Sequence, residues 1–271
     1  MSQTLVKTFY ATEVRYEWCR LVQDAYHSLE LMTTLRYLEK YLPKEGHILD
    51  AGGGPGRYTM ELAKRGYQVT LLDLTPENVA FAGRMIRRKG LKRRAQVVEG
   101  SITDLSRNPD SSFDGVVCTG GPVSHILDVE QRATAIRELL RVAKPGAPVF
   151  ISVMSRLAVI IVELMLFQNE FETPVHTLIR ETGDIDGLTG FTACHFFLPE
   201  ELRAEVEAHG ATVVEMVGLE GLGSNHRKEI NRLAKNETRW QKWLETHFQT
   251  CTHPAVVGMS EHMLVVCRKA S

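Results

Sequence analysis

Ile48-Leu49-Asp50-Ala51-Gly52-Gly53-Gly54-Pro55-Gly56 is the stretch that decides how the rest of this 271-residue chain reads. A short apolar strand ends in an acid, a glycine-dense turn follows, and Arg57 to Lys64 has the pattern of a helix. Glycine serves where the backbone must take positive φ or let a ligand lie against bare main chain. The helix start behind the turn offers unpaired N–H groups and the positive end of a dipole. The unit is therefore a strand–loop–helix suited to holding a polar or anionic group.

Working outward, residues 11–42 read as helical and form an arm ahead of the first strand. Downstream, strands are expected at Ile48–Asp50, Gln68–Leu72, Gln96–Glu99, Gly115–Cys118 and Pro148–Val153, with helices between them. Thr75-Pro76-Glu77 is a helix start, with a capping hydroxyl and proline in the first turn. This rhythm predicts a doubly wound α/β fold around a mostly parallel sheet. Ligands bind such sheets at the carboxyl ends of the strands. That rule directs attention to Asp50–Gly56, Asp73–Leu74, Ser101–Ile102 and Thr119–His125.

The rhythm breaks after the fifth strand. The organisation expected is one domain: an arm over 1–45, a cofactor-binding core over 46–154, a cap insertion over 155–195, and a C-terminal part of the sheet over 196–271. The insertion carries Gly183, Gly187 and Gly190, and the last part includes a helical stretch at about 227–247. The apolar run Leu157 to Phe167 is too short to span a bilayer and reads as a buried or interface helix.

A dinucleotide fingerprint needs glycines at relative positions one, three and six. Counting from Gly52 gives Gly54 and then Arg57, which cannot provide the close helix–strand approach of the last glycine. Instead, Asp50-x-Gly52-x-Gly54-x-Gly56 resembles the first motif of class I S-adenosylmethionine-dependent methyltransferases. Asp73 is similar to that family's ribose-binding acid, and Glu99-Gly100-Ser101-Ile102-Thr103-Asp104-Leu105 resembles its third motif. Phe113-Asp114-Gly115-Val116-Val117 with Gly120-Gly121-Pro122-Val123-Ser124-His125 resembles the fourth, and Leu140 to Gly146 the turn before the fifth strand. The resemblance covers about residues 45–155. It implies a Rossmann-like, seven-stranded, mostly parallel sheet with a helical cap.

It also implies S-adenosyl-L-methionine as cofactor and S-adenosyl-L-homocysteine as product. The residues expected to hold the cofactor are Asp50, Gly52, Gly53, Gly54, Gly56, Asp73, Leu74, Ser101, Ile102, Thr119 and Gly120. Asp73 is suited to accept both ribose hydroxyls, Leu74 to wall the adenine, and Ile102 to offer its backbone N–H. Ser101 stands where the family often has an acid.

Methyl transfer from a sulfonium is a direct displacement, in which alignment and exclusion of water matter most. A base is needed only for a nucleophile that arrives protonated. The candidates are His125, just past the fourth strand, and His195, at the end of the insertion. Tyr10, Tyr16, His27 and Glu30 on the arm are further candidates. Phe167, Phe171, Phe191, Phe196 and Phe197 are candidates for an apolar acceptor pocket.

Hydrophobic residues make up 44% and charged residues 24% of the chain, with a formal net charge of −1. This balance gives no global attraction to nucleic acid or to an anionic membrane. The basic cluster from Arg84 to Arg94 reads as a solvated helix end. The five cysteines form no C-x-x-C pair and read as reduced thiols, with Cys19, Cys194 and Cys251 as apolar fillers, and the ten histidines form no metal-binding pattern. No metal is expected. The N-terminus lacks the apolar core of a signal peptide, so a cytoplasmic location is expected. The expectation is a methyltransferase acting on a small-molecule O, N or S nucleophile, as a monomer or homodimer, without nucleic-acid or membrane partners. Two alternatives stand beside it: a non-catalytic cofactor-binding module or scaffold, and a nucleic-acid methyltransferase.

Overall fold

The computed structural model describes residues 2–187 and 191–269, so Gly190 lies outside the described residues. The strands in chain order are β1 (His47–Ala51), β2 (Gln68–Asp73), β3 (Ala95–Glu99), β4 (Gly115–Cys118) and β5 (Pro148–Met154), then β6 (Asp184–Ile185), β7 (Cys194–His195), β8 (Ala211–Gly218) and β9 (His262–Lys269). Seven of them form one sheet in the order β3-β2-β1-β4-β5-β9-β8, while β6 and β7 pair as a separate ribbon. The pairs from β3 through β5 are parallel, and β9 runs antiparallel between β5 and β8. The order reverses between β1 and β4, which opens a crevice beyond their carboxyl ends.

The central strands are buried on both faces, as their runs of Val, Ile and Leu demand. Alternation divides each strand between two cores. Leu49, Val116, Val149 and Ile151 face one layer with Ile136, Leu139, Leu202 and Val206. Ile48, Val117, Phe150 and Val266 face the other with Leu38, Tyr58, Leu62 and Ile86. Each such fully buried side chain contributes about 1.5–3 kcal/mol.

The first layer is supplied by α5 (Val129–Val142) and α8 (Pro199–Ala208), the second by α2 (Ala25–Tyr41), α3 (Arg57–Lys64) and α4 (Pro76–Arg88). The arm begins earlier than its pattern predicts and is two helices, α1 (Ser2–Arg20) and α2. The break falls where Asp24 caps α2 by accepting from the His27 N–H at 3.0 Å. The insertion contains α6 (Arg156–Leu166) and α7 (Pro174–Thr182) before the β6–β7 ribbon. The stretch expected as one helix at about 227–247 is α9 (Arg227–Leu233) and α10 (Glu237–Thr250), separated where Asn236 caps α10. A short α11 (Pro254–Val257) precedes β9.

Two expectations change. Of the two readings of the 157–167 run, a buried or an interface helix, the buried one falls: Leu164, Met165, Leu166 and Phe167 at the end of α6 are exposed, because only Ala158, Glu163 and Arg156 of that helix turn fully inward. Cys19 is exposed, unlike the buried Cys118, Cys194, Cys251 and Cys267, so it fills no core. Among the described residues, no helix is long and apolar enough to cross a membrane.

Candidate active site

The glycine turn is hooked onto β2: the Gly52 and Gly53 N–H groups both donate to the Leu72 carbonyl, at 2.7 and 3.1 Å. Asp50 lies beneath the turn, fully buried, and accepts from the Thr59 hydroxyl at 2.5 Å. A Cβ at Gly53 would sit 2.7 Å from the Asp50 carboxylate, so the two residues are packed together. Burial lifts the Asp50 carboxyl to about 6. Gly56 opens α3, and a Cβ there would come within 3.2 Å of Ala82 on α4. Asp50 and Gly56, expected as ligand contacts, do not line the cavity and instead shape the turn from below.

The carboxyl ends of β1 to β4 surround a cavity with about 1030 Å³ of space between atoms, part of it open to solvent. Gly52, Gly53, Gly54, Asp73, Leu74, Ser101, Ile102, Thr119 and Gly120 all line it. Asp73 ends β2 and crosses to the glycine turn, accepting from the Gly54 N–H at 2.8 Å. Its other oxygen accepts from the Thr75 N–H at 2.9 Å and from the Asn78 amide at 3.2 Å. The start of α4 is thus tied by Asp73, and the Thr75 hydroxyl makes no capping bond. Burial raises the Asp73 carboxyl, against the pull of these donors. Ser101 hydrogen-bonds Thr103 at 2.7 Å and shapes the loop after β3.

The cavity suits the cofactor that the sequence pattern implies. Gly54 and Gly120 have φ of +55° and +84°, and a Cβ at either would meet no protein atom within 4 Å. Both leave bare backbone beside open space. Thr119 Oγ1 and Asn78 Oδ1 are buried on the cavity wall with no hydrogen-bond partner. A carboxylate, two free polar oxygens, glycine backbone and the apolar Leu74 and Ile102 match a ligand with a diol, polar ends and a flat ring system.

The remaining wall comes from the arm: Gln3, Val6, Tyr10, Glu17, Arg20 and Leu21 all face the cavity. Sequence reasoning singled out only Tyr10 of these, and for chemistry rather than for shaping the cofactor space. Arg57 stacks on the Trp18 ring at 3.8 Å and donates to the Trp18 carbonyl, which seats α1 against α3. Arg20 bridges Glu17 at 3.1 Å and Glu30 at 2.5 Å.

His125 lines the same cavity, with Tyr10 Oη 2.7 Å from its Nε2 and the Ala193 carbonyl 2.9 Å from its Nδ1. Burial lowers the imidazole to about 4, so the ring is neutral near pH 7. His195 lies elsewhere: it is buried between Asp184 at 2.6 Å and Glu201 at 2.7 Å, and does not line the cavity. Burial disfavours its charged ring, but hydrogen bonds to the two carboxylates outweigh this and raise its pKa. Both ring nitrogens are engaged, so His195 joins the ribbon to α8 and is not placed for catalysis.

Of the other arm candidates, Tyr16 is exposed, His27 bonds Asp24 at 2.7 Å, and Glu30 is occupied by Arg20. The five phenylalanines do not converge. Phe167 and Phe171 are exposed, Phe196 and Phe197 are core, and Phe191 packs 5.7 Å from the His125 ring.

Residues 48–146 match the family profile described as a methyltransferase domain. A ubiquinone biosynthesis O-methyltransferase of Xanthomonas oryzae pv. oryzae is 35% identical over 126 residues, 45% of this chain and 49% of that protein. The chain thus spans about half the length of this relative. Among solved structures, a SAM-dependent methyltransferase from Methanosarcina mazei aligns with TM-score 0.61 at 22% identity, over 86% of this chain and 97% of that one. The Burkholderia thailandensis 1,6-didemethyltoxoflavin-N1-methyltransferase, solved with its substrate and S-adenosylhomocysteine, aligns with TM-score 0.57 at 16% identity, over 99% of this chain and 88% of that one. Residues 48–146 thus match a methyltransferase domain, and the strand order and glycine turn give the chain the fold of the solved S-adenosylmethionine-dependent methyltransferases it resembles.

Proposed function

We propose that the chain is a methyltransferase that moves the methyl group of S-adenosylmethionine to a small molecule by direct displacement. The observation that carries this reading is a single cavity that runs from the glycine turn and Asp73 to Tyr10 and His125. One end has the chemistry of a nucleoside site and the other a neutral imidazole–phenol pair. When bound, the cofactor supplies a methyl group already activated on a sulfonium.

In this reading Asp73 accepts the ribose hydroxyls, Leu74 and Ile102 wall the adenine, and Gly52 to Gly54 border the ribose and methionine part. The arm closes the cavity from above and keeps water from the reacting atoms. Arg20 offers a cation near the turn, held in place by Glu17 and Glu30. The O- and N-methyltransferases among the similar proteins support a small acceptor and leave its nucleophilic atom open.

A nucleic-acid acceptor has less support. Arg84 to Arg88 end α4, which starts at the carboxyl end of β2 and runs away from the cavity. The basic cluster is therefore at the other edge of the sheet.

Calorimetry with S-adenosylmethionine and S-adenosylhomocysteine, followed by turnover on phenols, amines and thiols, tests the reading. Micromolar binding with turnover is expected. Absence of binding at millimolar ligand refutes it, and binding without any turnover favours a cofactor-sensing module.

A further inference from the structure

We infer that Tyr10 is the group that receives the acceptor's proton, that His125 positions it and takes the proton in turn, and that the acceptor is a phenolic hydroxyl. This rests on the methyltransferase reading above.

The geometry sets the direction of the proton path. A carbonyl can only accept, so the 2.9 Å contact to Ala193 requires the proton of neutral His125 on Nδ1. Nε2 then carries the lone pair, and the Tyr10 hydroxyl at 2.7 Å must donate to it. With its proton committed to His125, the Tyr10 oxygen keeps lone pairs free to accept from a hydroxyl in the cavity that both residues line. Phe9 and Phe191, in edge contact at 5.4 Å, flank the pair and give it an aromatic surround.

The step balances. The acceptor oxygen gains the methyl carbon as the carbon–sulfur bond breaks, and the sulfur keeps the bonding pair. The acceptor's proton passes to Tyr10 Oη while the tyrosine's own proton passes to His125 Nε2. Tyrosine is unchanged, histidine becomes imidazolium, and the proton leaves to solvent with the product. The reacting groups carry one net positive charge before and after, first on the sulfonium and then on the imidazolium. That conservation offsets the burial that otherwise holds His125 neutral.

The acceptor class follows. A neutral amine attacks through its lone pair, and a thiol ionises at about 8.5, so neither requires a relay. An aliphatic hydroxyl, near water's value of about 15.7, lies beyond a weak imidazole. A phenol at about 10 is within reach.

Two measurements on the full chain test this. In the cofactor-free protein, 15N NMR of the histidine rings should find the His125 proton on Nδ1, and Tyr10→Phe should shift the Nε2 resonance. A proton on Nε2 overturns the relay. In turnover at pH 8.5, Tyr10→Phe should slow methylation of catechol by about tenfold or more, since only a small fraction of a phenol near 10 is already ionised at that pH. It should change methylation of 4-nitrophenol, already ionised at that pH, by less than threefold. An equal loss on both acceptors, a loss on neither, or a wild-type protein that methylates only amines or thiols overturns it. Calorimetry separates the two levels of failure. Cofactor binding with any of these outcomes removes the relay alone, whereas absence of cofactor binding in wild type removes the function on which it rests.

Discussion

Replacing His262 with Asn should cost stability in acid and neutral solution and almost none in alkali. His262 opens β9 and faces Glu220 at 2.8 Å and Glu30 of α2 at 3.8 Å, with Arg20 of α1 on the far side of Glu30. Glu261 and Tyr26, themselves hydrogen-bonded, adjoin the cluster. Burial disfavours the imidazolium, but the attraction of Glu30 and Glu220 outweighs it and lifts the ring from 6.5 to about 9. The folded protein therefore binds more protons than the unfolded chain between those values. The stabilisation is complete below 6.5 and is lost as pH rises through 9. A lift of that size corresponds to about 3 kcal/mol. Asn keeps a donor near Nδ1 but no charge. Urea unfolding of wild type and His262→Asn at half-unit steps from pH 6 to 10 should give a gap that narrows by about 3 kcal/mol across the range. His195, also raised by its carboxylates, titrates in both proteins and cancels. A gap that stays constant with pH would refute the charge argument and leave only packing. On the acid side the sign reverses. Burial lowers His125 and His247 to about 4, so wild-type stability should fall as pH drops from 6.5 towards 4.

Asp73→Asn should weaken S-adenosylmethionine binding by about 10- to 100-fold in calorimetry, since a hydrogen bond to a charged group is worth about 1.5–3 kcal/mol. A change under threefold would remove the ribose assignment. Gly120→Ala should cost about 1–2 kcal/mol of stability, because φ is +84°, and should also reduce cofactor affinity. Gly146→Ala is the control: φ is +72°, its Cβ also meets no atom, but it lies at the turn before β5, away from the cavity. It should cost similar stability and leave affinity unchanged. Equal affinity losses in the two variants would mean that strain, not cavity space, is being measured.

The core was legible because its elements announce themselves locally. β1, β2, β4 and β5 are short runs of Val, Ile and Leu between turns, and Pro76 marks a helix start. The arm's contribution to the cavity was not legible. Gln3, Val6, Tyr10, Glu17 and Arg20 show no apolar stripe, and what seats them is the stacking of Trp18 on Arg57, a contact across 39 residues. His195 was misread for the same reason. Its engagement depends on Asp184 from β6 and Glu201 from α8, brought together only by the ribbon. Asp50 shows a different limit. A glycine-rich turn after an acid does not reveal whether the carboxylate points up to a ligand or down into the fold, and here Thr59 on α3 draws it down.

The two halves of the cavity differ in how they are built, and this bears on what can vary. The end holding Asp73, Leu74 and Ile102 belongs to the strands and their first loops, and every hydrogen bond that fixes Asp73 comes from residues 54–78. The other end is assembled from three distant parts of the chain. His125 comes from the loop after β4, its tautomer is set by Ala193 beside β7, and its second partner is Tyr10 on α1. Changing the 155–195 segment or the arm therefore alters the neighbours of His125 while leaving the Asp73 network untouched. The family profile spans residues 48–146, so it includes His125 but neither the arm that carries Tyr10 nor the segment that carries Ala193. Under the proposed function, acceptor choice is expected to follow the segments outside that profile, and comparing acceptors after exchange of residues 155–195 tests that expectation.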